Sequence, residues 1–201
     1  MFKPEIREKI QLRRRQLSAA SIEQASQAVA AQLIQLPEFL DATHIASYLS
    51  IDGELDTWPL MQGTAALKKQ WYLPMIASDV AKNTPTLQFH AYRIGDTVIK
   101  NRHGIEEPET QSPQMAPQDL SAILMPLVAF DAQGNRLGRG AGHYDRTLAF
   151  INEPSTIQKP ILIGLAYEFQ KISAMTPDQW DVPLDIVVTE QSVYKGASLK
   201  L

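Results

Sequence analysis

The sequence predicts one α/β domain in which a largely parallel central sheet is flanked by helices. Short apolar runs rich in β-forming residues recur along the chain and alternate with stretches of helical periodicity, an order typical of parallel sheets. The 201 residues are 44% hydrophobic, which is enough to form a core. The Pro- and Gln-rich segment 110–119 is short enough to be a surface loop. We therefore expect a single domain over residues 1–201.

Two helices are predicted at the amino-terminal end. The first covers residues 5–17, where apolar side chains recur among charged ones at mostly helical spacing. Ser18 or Ser21 can cap a second helix that runs through Leu36, because a serine hydroxyl accepts a hydrogen bond from the free amides of a first turn. Pro37 is expected to end this helix, since proline has no N–H to donate.

Six short apolar segments rich in β-formers are predicted as strands. They are residues 44–51, 71–76, 87–92, 121–130, 160–167 and 185–189. Segment 121–130 is apolar enough to be buried on both faces, as in a parallel sheet. After the first strand, an Asp-Gly turn leads into a helix that runs toward Lys69 and that Asp56 or Thr57 can cap. A further helix is predicted over residues 143–151.

Composition and charge exclude several classes of protein. Nineteen basic and 22 acidic residues give a net charge of -3, so no global field attracts nucleic acid or an anionic membrane. The absence of cysteine excludes disulfides, thiolate metal sites and thiol catalysis, and fits a reducing compartment. No apolar run approaches the roughly 20 residues that span a bilayer, and residues 1–15 lack a signal-peptide core. We expect a cytoplasmic monomer with no nucleic-acid or membrane partner.

Segment 125–148, MPLVAFDAQGNRLGRGAGHYDRTL, has the clearest functional pattern in the chain. An apolar strand leads into a turn in which every second residue from 138 to 142 is glycine, and a predicted helix follows directly. Glycines allow positive φ and let backbone N–H groups approach a ligand, while a helix N-terminus adds partial positive charge. Arg136 and Arg139 add full charges suited to phosphate oxygens. The segment therefore predicts a phosphate cradle.

This cradle matches neither of the two common nucleotide-binding motifs. A Walker A loop requires Gly-Lys-Ser/Thr, which is absent, and the third glycine of GxGxxG would fall on His143. A glycine-rich turn that merely joins a strand to a helix is an alternative. The two arginines, the adjacent Tyr144 and Asp145, and the position after a buried strand favour a binding site, since open α/β sheets bind ligands at the carboxyl ends of their strands.

Two clusters of charged residues have more than one interpretation. Asp52, Glu54 and Asp56 follow the first predicted strand, where they can bind a cation, cap the next helix or accept hydrogen bonds from a ligand. Taken alone, capping is the simplest of these. Lys3 and Arg7 lie four residues apart and share a helical face, which is most often a solvated surface.

Residues 126–148 resemble the signature of the 5-formyltetrahydrofolate cyclo-ligase family, approximately P-x-x-A-F-D-x-x-G-x-R-L-G-x-G-x-G-Y-Y-D-R-x-L. The resemblance continues in three segments, which are SYLSIDGELDT (47–57), NRHGIEEP (101–108) and WDVPLDIVVTE (180–190). Ala141 stands where the family usually has glycine or a basic residue, and His143 where it usually has an aromatic. The resemblance implies a sheet like those of sugar-phosphate isomerases and CoA-transferases, and the ATP-dependent closure of 5-formyltetrahydrofolate to 5,10-methenyltetrahydrofolate.

The resemblance also implies roles for individual residues. The residues implied in ATP binding are Lys3, Arg7, Arg136, Leu137, Gly138, Arg139, Gly140, Ala141, Gly142, His143 and Tyr144. Those implied in folate binding are Ile51, Glu54, Asp56, Arg139, Gly140, Gly142 and His143. Spacing does not decide which of the two acids contacts the pterin ring. Asp145 and Asp181 are implied to hold Mg²⁺, and the expected catalytic residues are Arg139, Tyr144 and Asp145.

Two alternative functions predict different behaviour. A phosphate-binding α/β enzyme of another class, such as a sugar-phosphate isomerase, would bind phosphate through the same loop without turning over ATP. A nucleic-acid-binding protein acting through the basic residues of the first helix would show strongly salt-dependent affinity for its ligand. The acidic pI near 5.8 argues against the second alternative.

Overall fold

The computed structural model describes residues 2–79, 84–101, 104–109 and 112–199. Its α-helices are α1 (Lys3–Arg15), α2 (Ala19–Leu33), α3 (Pro37–Leu40), α4 (Trp58–Gly63) and α5 (His143–Thr147). Short 3₁₀ turns occur at Ala65–Leu67, Pro117–Asp119, Ala149–Asn152, Glu168–Gln170 and Ala197–Leu199. Residues 102–103 and 110–111, which belong to segments considered above, lie outside the described residues.

The strands form one large sheet and two small hairpins. They are β1 (His44–Ala46), β2 (Gln70–Asp79), β3 (Thr84–Tyr92), β4 (Val98–Lys100), β5 (Glu106–Pro108), β6 (Gln114–Met115), β7 (Ala122–Pro126), β8 (Ala129–Phe130), β9 (Arg136–Leu137), β10 (Ile161–Leu165), β11 (Ile186–Val188) and β12 (Val193–Lys195). The large sheet has the order β12-β11-β10-β7-β1-β2-β3-β6, while β4 pairs with β5 and β8 with β9.

The centre of the large sheet is parallel, as predicted. Strands β11, β10, β7, β1 and β2 are neighbours in parallel register. Strands β12, β3 and β6 are antiparallel additions at the two edges. Five adjacent parallel strands flanked by helices confirm the predicted α/β class. Within the described residues, no helix combines the length and the apolarity that crossing a bilayer requires.

Two buried clusters lie on opposite faces of the sheet, and β7 contributes to both. Ala122 and Leu124 pack into the cluster that contains Val29 of α2, whereas Ile123 and Met125 pack into the other. Successive side chains of a strand point to opposite faces, so a strand covered on both sides must be apolar at every position. This burial explains the continuous apolar run of the sequence.

The predicted strand 121–130 is two strands, and the break positions the glycine-rich loop. β7 ends at Pro126, which cannot donate to the sheet ladder. The chain then leaves the sheet, and Val128 N–H donates to the carbonyl of Leu137 as β8 and β9 form their hairpin. The hairpin carries the chain from the carboxyl end of β7 into residues 138–142.

Several predicted helix and strand bounds were wrong. α2 ends at Leu33, and Pro37 begins the short helix α3 instead of ending α2, because its missing N–H is unneeded in a first turn. Ser18 is the cap of α2, accepting from Ser21 N–H at 3.1 Å. The first strand has three residues instead of eight, and the helix predicted over 143–151 ends at Thr147.

Candidate active site

A cavity of about 430 Å³ lies beside the glycine-rich loop. Tyr48 and Leu127, which follow the carboxyl ends of β1 and β7, are among its lining residues. This is the edge at which open α/β sheets bind ligands. Its other walls come from α1, the loop after β1, strands β2, β3 and β5, residues 136–145 and residues 178–181. The predicted site residues lie at this one cavity, with the single exception of Asp56.

The glycine-rich loop, residues 138–142, is joined directly to α1. Arg7 Nε donates to the carbonyl of Gly138 at 2.8 Å. Gly140 has φ +107°, and a Cβ there would lie 3.6 Å from the guanidinium carbon of Arg7. Gly142 has φ +65° and precedes the first residue of α5. L-residues rarely adopt these φ values, so the backbone conformation favours glycine at both positions, whereas a Cβ at 140 would make only an ordinary contact with Arg7.

Of the residues that the structure describes, four with cationic side chains line the cavity, two from α1 and two from the loop region: Lys3, Arg7, Arg136 and Arg139. Arg136 is 6% exposed, and its Nη2 lies 2.5 Å from Asp145 Oδ1. Its Nη1 is buried and has no hydrogen-bond partner in the described part of the chain. Burial lowers the pKa of Arg136, and the nearby carboxylates of Asp145 and Asp181 oppose this shift. Six carboxylates of described residues line the same cavity, and acids pair with Lys3, Arg136 and Arg139, so a polyanionic ligand would take over these cations from their present partners.

The helix after the loop contributes less positive charge than the sequence predicts. α5 has only five residues, so few peptide dipoles align at its start. The electrostatic attraction for an anion must therefore come mainly from the four cationic side chains and from individual backbone amides.

Asp145 and Asp181 both line the cavity and are bound to its cations. Asp145 Oδ1 accepts from Arg136 Nη2 and, at 3.3 Å, from Val182 N–H. Asp181 Oδ2 accepts from Asp178 N–H at 2.9 Å and lies 4.0 Å from Lys3 Nζ. Among the described residues no group of three potential metal ligands occurs. Two carboxylates fit Mg²⁺, which usually takes one or two protein carboxylates and completes its shell with phosphate oxygens and water.

Glu54 and Asp56, which spacing could not distinguish, have different positions. Glu54 lines the cavity and is 6% exposed, with Oε1 3.3 Å from Arg139 Nε and 3.6 Å from Arg14 Nη1. Asp56 lies outside the cavity lining, and its Oδ1 accepts from Trp58 N–H at 3.0 Å, at the start of α4. Thr57 is thus the N-cap residue of α4, Asp56 accepts from the first amide of that helix, and Glu54 is left as the acid at the cavity.

Burial shifts the pKa of three groups in this region, Glu54, Arg14 and Tyr144. Burial raises the pKa of Glu54, and the neighbouring Arg139 and Arg14 oppose the shift. Arg14 is itself 1% exposed, and burial lowers its pKa while Glu54 opposes that change. Burial, reinforced by the charge of Glu54, also raises the pKa of Tyr144. Tyr144 therefore keeps its phenolic proton at neutral pH and can act as a hydrogen-bond donor.

Comparison with known proteins identifies the family. The sequence profile of the 5-formyltetrahydrofolate cyclo-ligase family matches residues 1–190. The chain belongs to this family. It is 35% identical to the 5-formyltetrahydrofolate cyclo-ligase of Escherichia coli (strain K12), over 92% of this chain and 99% of the relative. It is 38% identical to the cyclo-ligase of Haemophilus influenzae, over 92% of this chain and 96% of the relative.

A solved structure agrees with this family membership. The NMR structure of Aquifex aeolicus 5,10-methenyltetrahydrofolate synthetase superposes with a TM-score of 0.80 at 32% identity. The match covers 100% of this chain and 97% of the Aquifex chain. The fold described above is therefore that of a cyclo-ligase family member along its full length.

Sequence reasoning missed four polar residues in the described lining of the cyclo-ligase cavity, Tyr48, Glu106, Glu107 and Asp178, and most of its apolar wall. Glu107 lines the cavity and is 7% exposed. The missed apolar residues are Leu49, Leu73, Pro74, Ile76, Leu87, Ile105, Pro126 and Leu127. Glu107 lies in segment 101–108, which resembles the family, but this resemblance implied no role for Glu107. Trp180, which precedes Asp181, also lines the cavity and is 68% exposed.

Proposed function

We propose that this chain catalyses the ATP-dependent conversion of 5-formyltetrahydrofolate to 5,10-methenyltetrahydrofolate, with release of ADP and phosphate. The observation that carries the proposal is a single cavity that combines a cation-lined glycine loop with apolar walls. Its volume of about 430 Å³ lies within the range of small-molecule pockets, roughly 300–1,000 Å³. The cationic part suits a triphosphate, and the apolar part suits the ring system of a folate.

The reaction needs ATP because a formamide oxygen is a poor leaving group. In the proposed sequence, the N5-formyl oxygen attacks the γ-phosphorus of ATP, and the bond from that phosphorus to ADP breaks. N10 then attacks the formyl carbon and loses its proton, and the carbon–oxygen bond breaks to release phosphate. The product is the methenyl cation. No step requires a covalent bond to the protein, which suits a chain without cysteine.

The four cations and the loop amides would bind and orient the triphosphate. Arg136 precedes the loop and Arg139 lies within it, while Lys3 and Arg7 line the same cavity from α1. Catalysis of phosphoryl transfer depends mainly on alignment and on stabilising the charge of the transferring group. Cations fixed in advance perform this task without reorganising during the reaction. Residues 137–144, including Ala141 and His143, form the wall against which the phosphates would lie.

Asp145 and Asp181 would hold the Mg²⁺ that accompanies ATP. The bound ion would neutralise phosphate charge during transfer. Asp145 has a second function that needs no metal, because its ion pair fixes the guanidinium of the nearly buried Arg136. The pair thereby sets the position of one cation in the phosphate-binding part of the cavity.

Ile51, Glu54 and Tyr144 would form the junction between the phosphate and folate parts. Glu54 fixes Arg139 through the contact of 3.3 Å to its Nε, while Asp52 holds Nη2 at 2.9 Å. Tyr144, protonated at neutral pH, can donate to an oxygen of either substrate. Ile51 would supply apolar surface against the pterin ring. The monomeric state and the cytoplasmic location expected from the sequence remain predictions.

A direct assay tests the proposed function. Purified protein is mixed with Mg-ATP and 5-formyltetrahydrofolate, and the methenyl product is followed by its near-ultraviolet absorbance. We expect absorbance to rise only when both substrates are present, with one ADP formed per product. Absence of product at micromolar enzyme would refute the proposal. Phosphate binding without ATP turnover would instead support the sugar-phosphate isomerase-like alternative.

A further inference from the structure

Glu107 is a nearly buried carboxylate at the apolar part of the cavity, and described residues donate hydrogen bonds to only one of its oxygens. Its Oε1 accepts from Ile76 N–H and from Asn101 Nδ2, each at 2.8 Å. β2 pairs with β1 only from Gln70 to Tyr72, so β1 does not cover this edge of β2 at Ile76. Glu107 accepts the hydrogen bond that Ile76 N–H would otherwise lack. Its Oε2 accepts no hydrogen bond from the described residues.

Glu107 also has no ion-pair partner among the residues that the structure describes. Among the described residues, no cationic side chain lies within 4.0 Å of its carboxylate. A carboxylate in a low-dielectric setting is stabilised by N–H donors, and such charge-assisted hydrogen bonds are stronger than neutral ones. Glu107 lines the cavity and its Oε2 is not among the fully buried, unbonded oxygens, so a ligand in the cavity can reach this atom.

Glu54, the other nearly buried acid of the cavity, is already engaged. Its Oε1 faces the guanidinium groups of Arg14 and Arg139, and its Oε2 accepts from Ile51 N–H at 3.3 Å. A neutral N–H donor of a ligand would have to compete there with two cations. Glu107 presents the more available acceptor.

The surroundings of Glu107 suit a flat ring. Pro74 and Ile76 of β2, Leu87 of β3 and Ile105 before β5 line the same cavity and are apolar. The pterin ring carries a 2-amino group and an N3–H on one edge, a pair of donors that matches a carboxylate flanked by apolar walls. This match rests on the proposed function, and it pairs the 2-amino and N3–H edge of the pterin with Glu107.

We propose that Glu107 binds the 2-amino and N3–H edge of the pterin ring and thereby determines specificity for the folate substrate. The pterin would pack over the side chains of the paired strands β2 and β3 on the face that lines the cavity, with its formyl-bearing side directed toward Arg139. Glu54 would then act on the substrate indirectly, through the position of Arg139. The competing interpretation is that Glu107 only satisfies Ile76 N–H and Asn101.

The substitution Glu107→Gln separates these two interpretations. The glutamine oxygen can still accept from Ile76 and Asn101, while an NH₂ group replaces Oε2. We expect the KM for 5-formyltetrahydrofolate to rise about 10- to 100-fold, the range for a lost charge-assisted hydrogen bond, with the KM for ATP changed less than about twofold. Glu109→Gln, an exposed acid outside the cavity lining, is the matched control. An unchanged folate KM in an active Glu107→Gln enzyme would overturn the proposal.

A ligand cycle isolates the contact without relying on turnover. Binding of 5-formyltetrahydrofolate, and of an analogue with methyl in place of the 2-amino group, is measured by calorimetry for wild type and for Glu107→Gln. We expect the analogue to bind wild type about tenfold more weakly and to lose this penalty in the variant. An equal penalty in both proteins would refute the contact. Wild type that binds folate but forms no product would refute the proposed function alone.

A crystal structure of the wild-type protein with 5-formyltetrahydrofolate gives a test that needs no variant. We expect the 2-amino nitrogen within about 3.2 Å of a Glu107 oxygen. A pterin ring bound with this edge elsewhere would overturn the proposal even if Glu107→Gln failed to fold.

Discussion

Arg7 Nε donates a hydrogen bond to the carbonyl of Gly138, a contact of 2.8 Å between residues 131 positions apart in sequence. It fixes the first helix against the glycine-rich loop, so that Lys3 and Arg7 line the same cavity as Arg136 and Arg139. A helix that could have been a solvated surface is therefore one wall of the phosphate-binding part of the cavity.

Arg139→Ala should lower kcat/KM by about 100-fold or more, because it removes a fixed cation from the transferring phosphoryl group. The product absorbance assay measures this loss. Arg93→Ala, at an exposed arginine outside the cavity lining, is the matched control and should retain wild-type turnover. Wild-type rates in Arg139→Ala would remove this residue from the mechanism.

Gly140→Ala should destabilise the fold by about 1–2 kcal/mol, the cost of placing an L-residue at positive φ. Gly138→Ala is the matched substitution for stability, because Gly138 lacks positive φ and no atom lies within 4 Å of a Cβ placed there. Denaturant unfolding of both variants measures the difference. If Gly140→Ala and Gly138→Ala were equally stable, the loop would tolerate a side chain at position 140 and would not be held in the conformation described.

Glu54 should make stability depend on pH in a defined direction. Because burial raises its pKa above the ordinary 4.5, the native state binds this proton more tightly than the unfolded chain does. This contribution to stability is present at pH values below 4.5 and is lost as pH rises through the raised pKa. The free energy of unfolding of wild type relative to Glu54→Gln should therefore increase as pH falls from 7 toward 4.5.

Denaturant titrations at several pH values test this sign. Glu54→Gln also removes the ion-pair partner of Arg14, which changes the stability of the variant at every pH. The test is therefore how the stability difference between wild type and Glu54→Gln changes with pH, not its size at one pH. Glu153→Gln, an exposed acid, should reproduce the wild-type curve. If the free energy of unfolding of wild type decreased relative to that of Glu54→Gln as pH falls, the account of Glu54 would be contradicted.

Asp145→Asn should raise the Mg²⁺ concentration required for half-maximal turnover by about tenfold or more. The amide oxygen can still accept from Arg136, so the substitution removes mainly the charge offered to the ion. Turnover measured over a Mg²⁺ titration gives the comparison, with Asp119→Asn at an exposed position as the control. An unchanged Mg²⁺ requirement would exclude Asp145 as a ligand.

The parallel sheet could be predicted from sequence because burial on both faces leaves a local pattern. Segment 121–130 is apolar at nearly every position, and β7 lies at the centre of the sheet. The break after Pro126 was not predicted, since Leu127 and Val128 are buried like strand residues but belong to the turn into the hairpin. An apolar run in the sequence predicts that its residues are buried, but it does not predict at which residue the strand pairing ends.

The cavity was predictable only where a motif marked it. Residues 136–145 form a contiguous signature, and the structure places them together with Lys3, Arg7 and Asp181. The choice between Glu54 and Asp56 could not be made from spacing, because it depends on contacts with Arg139 and with Trp58 N–H. Glu107 was missed for the same reason, as its neighbour Ile76 lies on a different strand.

A crystal structure with 5-formyltetrahydrofolate and a non-hydrolysable ATP analogue tests the central claim most directly. We predict the triphosphate against residues 138–142, with its γ-phosphate in contact with Arg139 and adjacent to the formyl group of the folate. A triphosphate bound away from this loop and from α1 would contradict the account.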